Sequence, residues 1–270
     1  MSPDPLFDWS GRVVAVTGAA GQLGSGYAGA FAARGARVAM LDLRGSAASD
    51  ALLRAHPDCV LFQPTDVTDR GSLVAALDAV EAHFGTPDAL VNNAAIDSPP
   101  SAPAEENGPF ETYPEESWDR VLDVNLKGVF LSCQVVGAAM AHAGRGSIVN
   151  VASVYGAVSP DQSLYEYRRA RGEVFYKPVA YAASKSGVYN LSRYLAVYWA
   201  KRGVRVNTLT IAGVFNDQEQ AFLDAYCGRI PVGRMARAED YHGPVLFLAS
   251  DASTYMTGAD LVVDGGWTAI

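Results

Sequence analysis

Short, nearly continuous apolar runs recur along the chain, separated by longer stretches in which apolar residues return every three or four positions. The runs are RVVAVTG (12–18), ARVAMLDL (36–43), CVLFQPTDV (59–67), ALVNNAA (89–95), GSIVNVAS (146–153), VRVNTLT (204–210) and ADLVVDGG (259–266). Runs with little polar alternation are expected of parallel strands covered on both faces. The intervening stretches LGSGYAGAFAARG, RGSLVAALDAVEAHFG, SWDRVLDVNLKGVFLSCQVVGAAMAHAG and VAYAASKSGVYNLSRYLAVYWAKRG have helical spacing and end near Gly. Strand and helix alternate, which predicts an α/β fold: a doubly wound parallel sheet of about seven strands flanked by helices, joined by right-handed crossovers.

Size narrows this to one domain over 1–270, since 270 residues at 49% hydrophobic content suit a single core. Two segments read as insertions at a functional rim: 96–117, rich in Pro and Glu, and 159–179, rich in Tyr and Arg. The net charge of −8 argues against a nucleic-acid or anionic-membrane surface. The N-terminus has no basic start followed by an apolar run, so no signal peptide is expected. No apolar stretch approaches the roughly 18 residues a membrane helix needs. Cys59, Cys133 and Cys227 are odd in number and lack metal-ligand spacing, which reads as reduced thiols in the cytoplasm with no metal site.

The first strand leads into TGAAGQLG (17–24) and then a helix. Glycines there allow a tight turn and close approach of a pyrophosphate, and the helix N-terminus supplies free N–H groups. Gly18, Gln22, Leu23 and Gly24 are therefore candidate dinucleotide contacts in a Rossmann-type site. The second strand ends in Asp42, 18 residues beyond Gly24. A carboxylate there accepts from ribose hydroxyls and repels a 2′-phosphate, which favours NAD over NADP. Arg44 nearby is the residue that would accommodate the phosphate.

A phenol with an ordinary pKa near 10 is a poor base at neutral pH unless a cation stands beside it. On a helix that cation belongs at i+4. Of the 13 tyrosines only Tyr181 has Lys at that offset, Lys185; Tyr165, Tyr167, Tyr189 and Tyr198 have Arg. Ser153 ends a strand at the carboxyl edge where doubly wound sheets place ligands. NNAA (92–95) ends another strand, and Asn125 sits in a helix of mostly apolar and small residues.

Together, TGAAGQLG, Asp42, DV at 66–67, NNAA, Asn125, Ser153, YAASK at 181–185 and the tail FLASDASTYMTGADLVVDGG resemble the short-chain dehydrogenase/reductase family from Gly11 to Trp267. The resemblance implies an NAD-dependent oxidoreductase with Tyr181 as acid/base. It implies that Lys185 lowers the phenol's pKa and holds the nicotinamide ribose. Ser153 would hydrogen-bond the reacting oxygen, and Asn125 would position a water in a proton relay. Asp66 and Val67 would contact adenine, Asn93 the adenosine ribose, with Ala94 beside it and Val214 on the nicotinamide side. It also implies a homotetramer paired through the long helices and the last strand.

The chain departs from the family's pattern in three places. Gln22 stands where a glycine is usual, Ala212 precedes Gly213 where Pro-Gly is usual, and Ser153 and Tyr181 lie 28 positions apart, much further than usual. The insertion 159–179 must then emerge at the mouth of the site. It carries Arg168, Arg169, Arg171 and Lys177 against Asp161, Glu166 and Glu173, a net +1 that leaves −9 elsewhere. Arg168, Arg169 and Arg171, with Tyr155, are candidate substrate contacts, the arginines as a clamp on an anionic group; a solvated face or a subunit contact is the alternative. A looser similarity to sugar-acid dehydrogenases and surface-sugar oxidoreductases points to a sugar, sugar acid or polyol. The rival readings are a nucleotide-sugar isomerase or dehydratase that retains its NAD, and a non-catalytic NAD-binding protein.

Overall fold

The computed structural model describes residues 5–97 and 104–270, so 98–103 of the first rim segment lie outside the described residues. Each apolar run forms one strand: β1 (Val13–Thr17), β2 (Arg37–Asp42), β3 (Val60–Pro64), β4 (Ala89–Asn92), β5 (Gly146–Ser153), β6 (Val204–Ile211) and β7 (Asp260–Val263). The strands form one sheet in the order β3-β2-β1-β4-β5-β6-β7. Every pairing is parallel. The principal helices are α1 (Gln22–Ala32), α2 (Ala47–Ala55), α3 (Arg70–His83), α4 (Glu115–Ala143), α5 (Val179–Trp199), α6 (Gln220–Cys227) and α7 (His242–Ala249).

Strand geometry explains the unbroken runs. Successive side chains point to opposite faces. Val14 and Val16 join Tyr27, Phe31, Tyr241 and Val245 on one side. Val13 and Ala15 join Val80, Phe84, Val188 and Trp199 on the other. All five residues of β1 are buried, so no polar alternation survives in its sequence. Replacing a buried ring such as Phe31 with Ala costs about 3–5 kcal/mol at such sites.

The helices α2, α6 and α7 lie outside the four predicted helical stretches. The first is set by a capping box, in which Ser46 and Ser49 exchange hydrogen bonds. In α7, HGPVLFLA, apolar side chains surround the axis and leave no stripe to read.

The expectation about apolar length is corrected at α4. Its 29 residues include an 18-residue window of mean hydropathy 1.4, long and apolar enough to cross a membrane by length and composition, with 56% of that window buried. Scattered polar residues interrupt the run without lowering its average. Val129, Val136 and Met140 bury part of its apolar face in the core. Two π-helical turns, Asp123–Lys127 and Cys133–Gly137, interrupt its regular winding. Such turns commonly mark functional positions, and the first carries Asn125.

The insertion 159–179 is folded. Helical turns at Gln162–Tyr165 and Glu166–Arg169 lead into an extended run that ends at α5. Leu164, Tyr165 and Phe175 form a separate small core with Tyr226, Ile230 and Met235.

Candidate active site

The strand order reverses between β1 and β4, and a cleft of about 600 Å³ opens at that switch point. The turn below it is built by close backbone approach. Gly18 has φ +63°, and a Cβ there would stand 2.7 Å from the Ala94 Cα; a Cβ on Gly24 would stand 2.1 Å from the Gly18 carbonyl oxygen. Gly21 caps α1 without a side chain over the helix end, leaving its first amides to an anion. Asn93 holds the turn from the β4 side, donating to the carbonyls of Thr17 and Gly18 at 3.1 Å each. Gly18, Gln22, Leu23, Val67, Asn93 and Ala94 line the cleft. Gly24 lies beneath the turn as a packing glycine.

Asp42 also lines the cleft, accepting from the N–H of Ala20 at 2.9 Å and of Leu43 at 2.7 Å. It thus shapes the turn and leaves a carboxylate at the end of β2. Arg44 is exposed and outside the cleft lining. The carboxylate of Asp66 accepts from the Thr68 N–H and hydroxyl. Its chain neighbours Thr65 and Val67 line the wall instead. The unusual Gln22 has a clear contact: its amide donates to the Phe215 carbonyl at 2.8 Å, tying the glycine turn to the loop after β6. That loop is pinned by two tyrosines, with the Gly213 N–H donating to Tyr226 and the Ala212 N–H to Tyr241. Val214 lines the adjoining substrate-side pocket. The open cleft, its glycine cradle and the Asp42 carboxylate fit a dinucleotide.

Ser153, Tyr181 and Lys185 meet where the cleft joins that second pocket, of about 730 Å³. Ser153 ends β5 and accepts from the Tyr155 N–H, with its hydroxyl beside the Tyr181 phenol. Tyr181 stands in the first turn of α5, which starts just after Pro178. One turn on, buried Lys185 donates to the Val151 carbonyl at 2.9 Å. Its ammonium lies 5.9 Å from the Tyr181 ring centroid.

Burial pushes the phenol above its ordinary range, the Asp97 charge adds to this, and the Ser153 hydrogen bond opposes it. Burial lowers Lys185 to about 8. The sequence led to the expectation that Lys185 lowers the phenol's pKa, but in this arrangement desolvation dominates. The ammonium is committed to a carbonyl.

Asn125 is fully buried and outside both pocket linings. Its side chain accepts from the Ile96 N–H at 2.8 Å and donates to the Ile96 carbonyl and the Ser184 hydroxyl. It therefore fixes the segment that follows β4.

The insertion forms one wall of the substrate-side pocket. Stacked rings continue that wall: Tyr165 on Phe222, Phe222 on Tyr226, and Tyr226 on Trp267, which meets Tyr155 edge-on. Tyr155 is buried in the lining. The three arginines do not converge on the pocket. Only Arg168 lines it, paired with Glu173 at 2.5 Å and stacked on Phe175 at 4.4 Å. Arg169 donates to the carbonyls of Gln162 and Phe175, bracing the insertion itself. Arg171 is exposed and pairs with Glu219 at 2.5 Å.

Two polar residues of this site were not among the candidates. Asp97, just beyond β4, lines both cavities and forms an ion pair with Lys177, which lies 5.1 Å from the Tyr181 ring centroid. Lys177 precedes Tyr181 by four positions, an offset that could have drawn attention to it, although Pro178 keeps it off the helix. Among the described residues no group of three His, Cys, Asp or Glu side chains could hold a metal. Cys133 is buried with Asn92 and Asn150, and burial pushes its thiol up to about 12.

A family model described as enoyl-(acyl carrier protein) reductase, of the short-chain alcohol dehydrogenase type, matches residues 18–268. The D-threitol dehydrogenase of Mycolicibacterium smegmatis is 41% identical over 275 residues, covering 99% of this chain and 97% of that protein. A gluconate 5-dehydrogenase from Burkholderia cenocepacia, solved with NADP and tartrate, superposes with a TM-score of 0.85 at 28% identity, covering 98% of each chain. A short-chain dehydrogenase from Leptospira borgpetersenii with bound NAD+ gives 0.86 at 30% identity, covering 99% of this chain and 97% of that one.

Proposed function

The chain belongs to the short-chain dehydrogenase/reductase family, and on that premise we propose that it interconverts a secondary alcohol and a ketone on a polyol or other sugar-like substrate, using NAD in preference to NADP. The observation that carries this reading is the Tyr181 phenol, beside Ser153 with Lys185 behind it, at the junction of a dinucleotide-sized cleft and a second pocket.

When bound, the nicotinamide dinucleotide takes a hydride from the carbinol carbon or returns one to the ketone. The protein handles the proton. In reduction Tyr181 gives its phenolic proton to the substrate oxygen; in oxidation the phenolate takes it back. The Ser153 hydroxyl holds that oxygen against the phenol. Below about pH 8 Lys185 is a cation, which offsets the charge of the phenolate as it forms. Asn125 holds the Ile96 backbone and so places Asp97 at the mouth of the site.

The preference for NAD rests on Asp42, whose carboxylate lies in the cleft wall while Arg44 stands outside it. The homologous D-threitol dehydrogenase supports a polyol. Phe130 on α4 and Tyr194, Val197 and Tyr198 on α5 are exposed apolar side chains, and we assign them to the interface of a homotetramer, checked by light scattering of the purified protein.

The deciding experiment is formation of reduced nicotinamide by purified protein with NAD or NADP across tetritols, pentitols, aldoses and sugar acids. Turnover of a secondary alcohol with NAD is expected, and Asp42→Ala should narrow the NAD:NADP ratio by about tenfold or more. Failure to oxidise any of them, or tightly retained NAD without net reduction, would overturn the reading.

A further inference from the structure

The insertion raises a question about charge: what do four basic residues at the mouth of an acidic protein's active site recognise? Each one is already engaged within the fold. Arg168 pairs with Glu173, Arg171 with Glu219 and Lys177 with Asp97, while Arg169 holds two carbonyls of the loop. The pocket therefore presents cations neutralised by their own carboxylates, and a bound anion would compete with Asp97 and Glu173 for them.

The Lys177–Asp97 pair is the one placed for recognition. The Gln162 side chain accepts from the Lys177 N–H at 2.9 Å and donates to the Lys177 carbonyl at 3.1 Å. Arg169 holds the Gln162 carbonyl at 2.9 Å. The insertion is thus braced to deliver one lysine across to the segment that Asn125 fixes. The resulting pair borders the catalytic phenol, and Asp97 lines both cavities. A paired ammonium and carboxylate offer a donor and an acceptor with little net charge. A hydroxyl group, which both donates and accepts, satisfies such a pair. The pair lines the pocket, so this wall suits a hydroxylated ligand better than an apolar one.

We infer that the Asp97–Lys177 pair is a specificity determinant that binds a second, uncharged hydroxyl next to the reacting carbon, so that the substrate is a neutral vicinal diol or polyol and not an anionic sugar. This rests on the alcohol-oxidising reading above. The pair acts by hydrogen bonding to the substrate, separately from the proton transfer at Tyr181.

The test compares kcat/KM for butane-2,3-diol, butan-2-ol and 3-hydroxybutanoate in the wild type, Lys177→Gln, Lys177→Arg and Asp97→Asn. The wild type should prefer the diol to butan-2-ol by about tenfold or more, the scale of a charge-assisted hydrogen bond. That ratio should collapse towards one in Lys177→Gln and Asp97→Asn, mainly through KM, and recover in Lys177→Arg. If Lys177→Gln does not fold, Asp97→Asn decides. Preference for 3-hydroxybutanoate over the diol, or a diol preference unchanged in the variants, overturns the inference while leaving the enzyme an alcohol dehydrogenase. Turnover of none of the three alcohols overturns it, and the parent reading falls with it where the tetritols and pentitols are not oxidised either.

Discussion

The dinucleotide half and the substrate wall of this molecule are held by different means. The first, β1 to β4 with α1 to α3, is set mainly by backbone: parallel register, a glycine turn and amides at a helix end. The second is set by side chains reaching between distant segments: the ring stack from Tyr165 to Trp267, the Gln162 clamp on Lys177, and ion pairs from the insertion to Asp97 and Glu219. A backbone-built site can hold a common cofactor in many proteins, whereas a side-chain-built wall can change its ligand by substitution. Tyr181 stands at the seam, lining both cavities.

The largest effect should fall at that seam. Tyr181→Phe should lower kcat by roughly 10²–10⁴-fold while leaving dinucleotide affinity nearly intact by titration; normal turnover would remove Tyr181 from the mechanism. The same residue predicts opposite pH profiles. Reduction needs the phenol and should fall as pH rises, while oxidation needs the phenolate and should rise. Because burial holds the phenol high, oxidation should still be climbing at pH 8; a plateau well below that would show that the bound state reverses the effect of burial.

Within the backbone-built half, Gly24→Ala forces a Cβ to within 2.1 Å of the Gly18 carbonyl oxygen. We expect a loss of about 1–3 kcal/mol in stability and at least a roughly tenfold loss in dinucleotide affinity, measured by thermal melting and calorimetry. In the side-chain-built wall, Arg169→Ala releases two loop carbonyls. It should raise the substrate KM several-fold, with little change in dinucleotide affinity, for a loss of about 1–2 kcal/mol in ordering the loop. Arg171→Ala should have the smallest effect. Its exposed pair with Glu219 is worth about 0–1 kcal/mol, so KM should change by less than about threefold. A large effect of Arg171→Ala on an acidic substrate would restore the anion clamp.

These two halves also differ in how far they could be read in advance. All seven strands were legible, because double coverage leaves unbroken apolar runs. The turn at Gly18 to Gly24 and the Tyr181–Lys185 pair were legible because each is contiguous or one helical turn long. The helix α7 was not, since apolar side chains on every side of its axis leave no stripe, nor was α2, whose start depends on a Ser46–Ser49 exchange. The insertion was located, but whether any of its arginines clamps an anion or faces solvent or a subunit stayed open, because composition reports charge and not the direction in which a side chain points.

The amino-acid sequence by itself determined the doubly wound sheet, the glycine turn and the Tyr181–Lys185 pairing on one helix, since each follows from local periodicity and local stereochemistry. Only the tertiary structure decided that Asn125 orders the Ile96 backbone and that Lys177 meets Asp97 across 80 positions of chain. It also decided that burial raises the phenol of Tyr181 above its ordinary range. Those outcomes depend on which surfaces the packed core brings together and on how much water it excludes, quantities that no short stretch of sequence encodes.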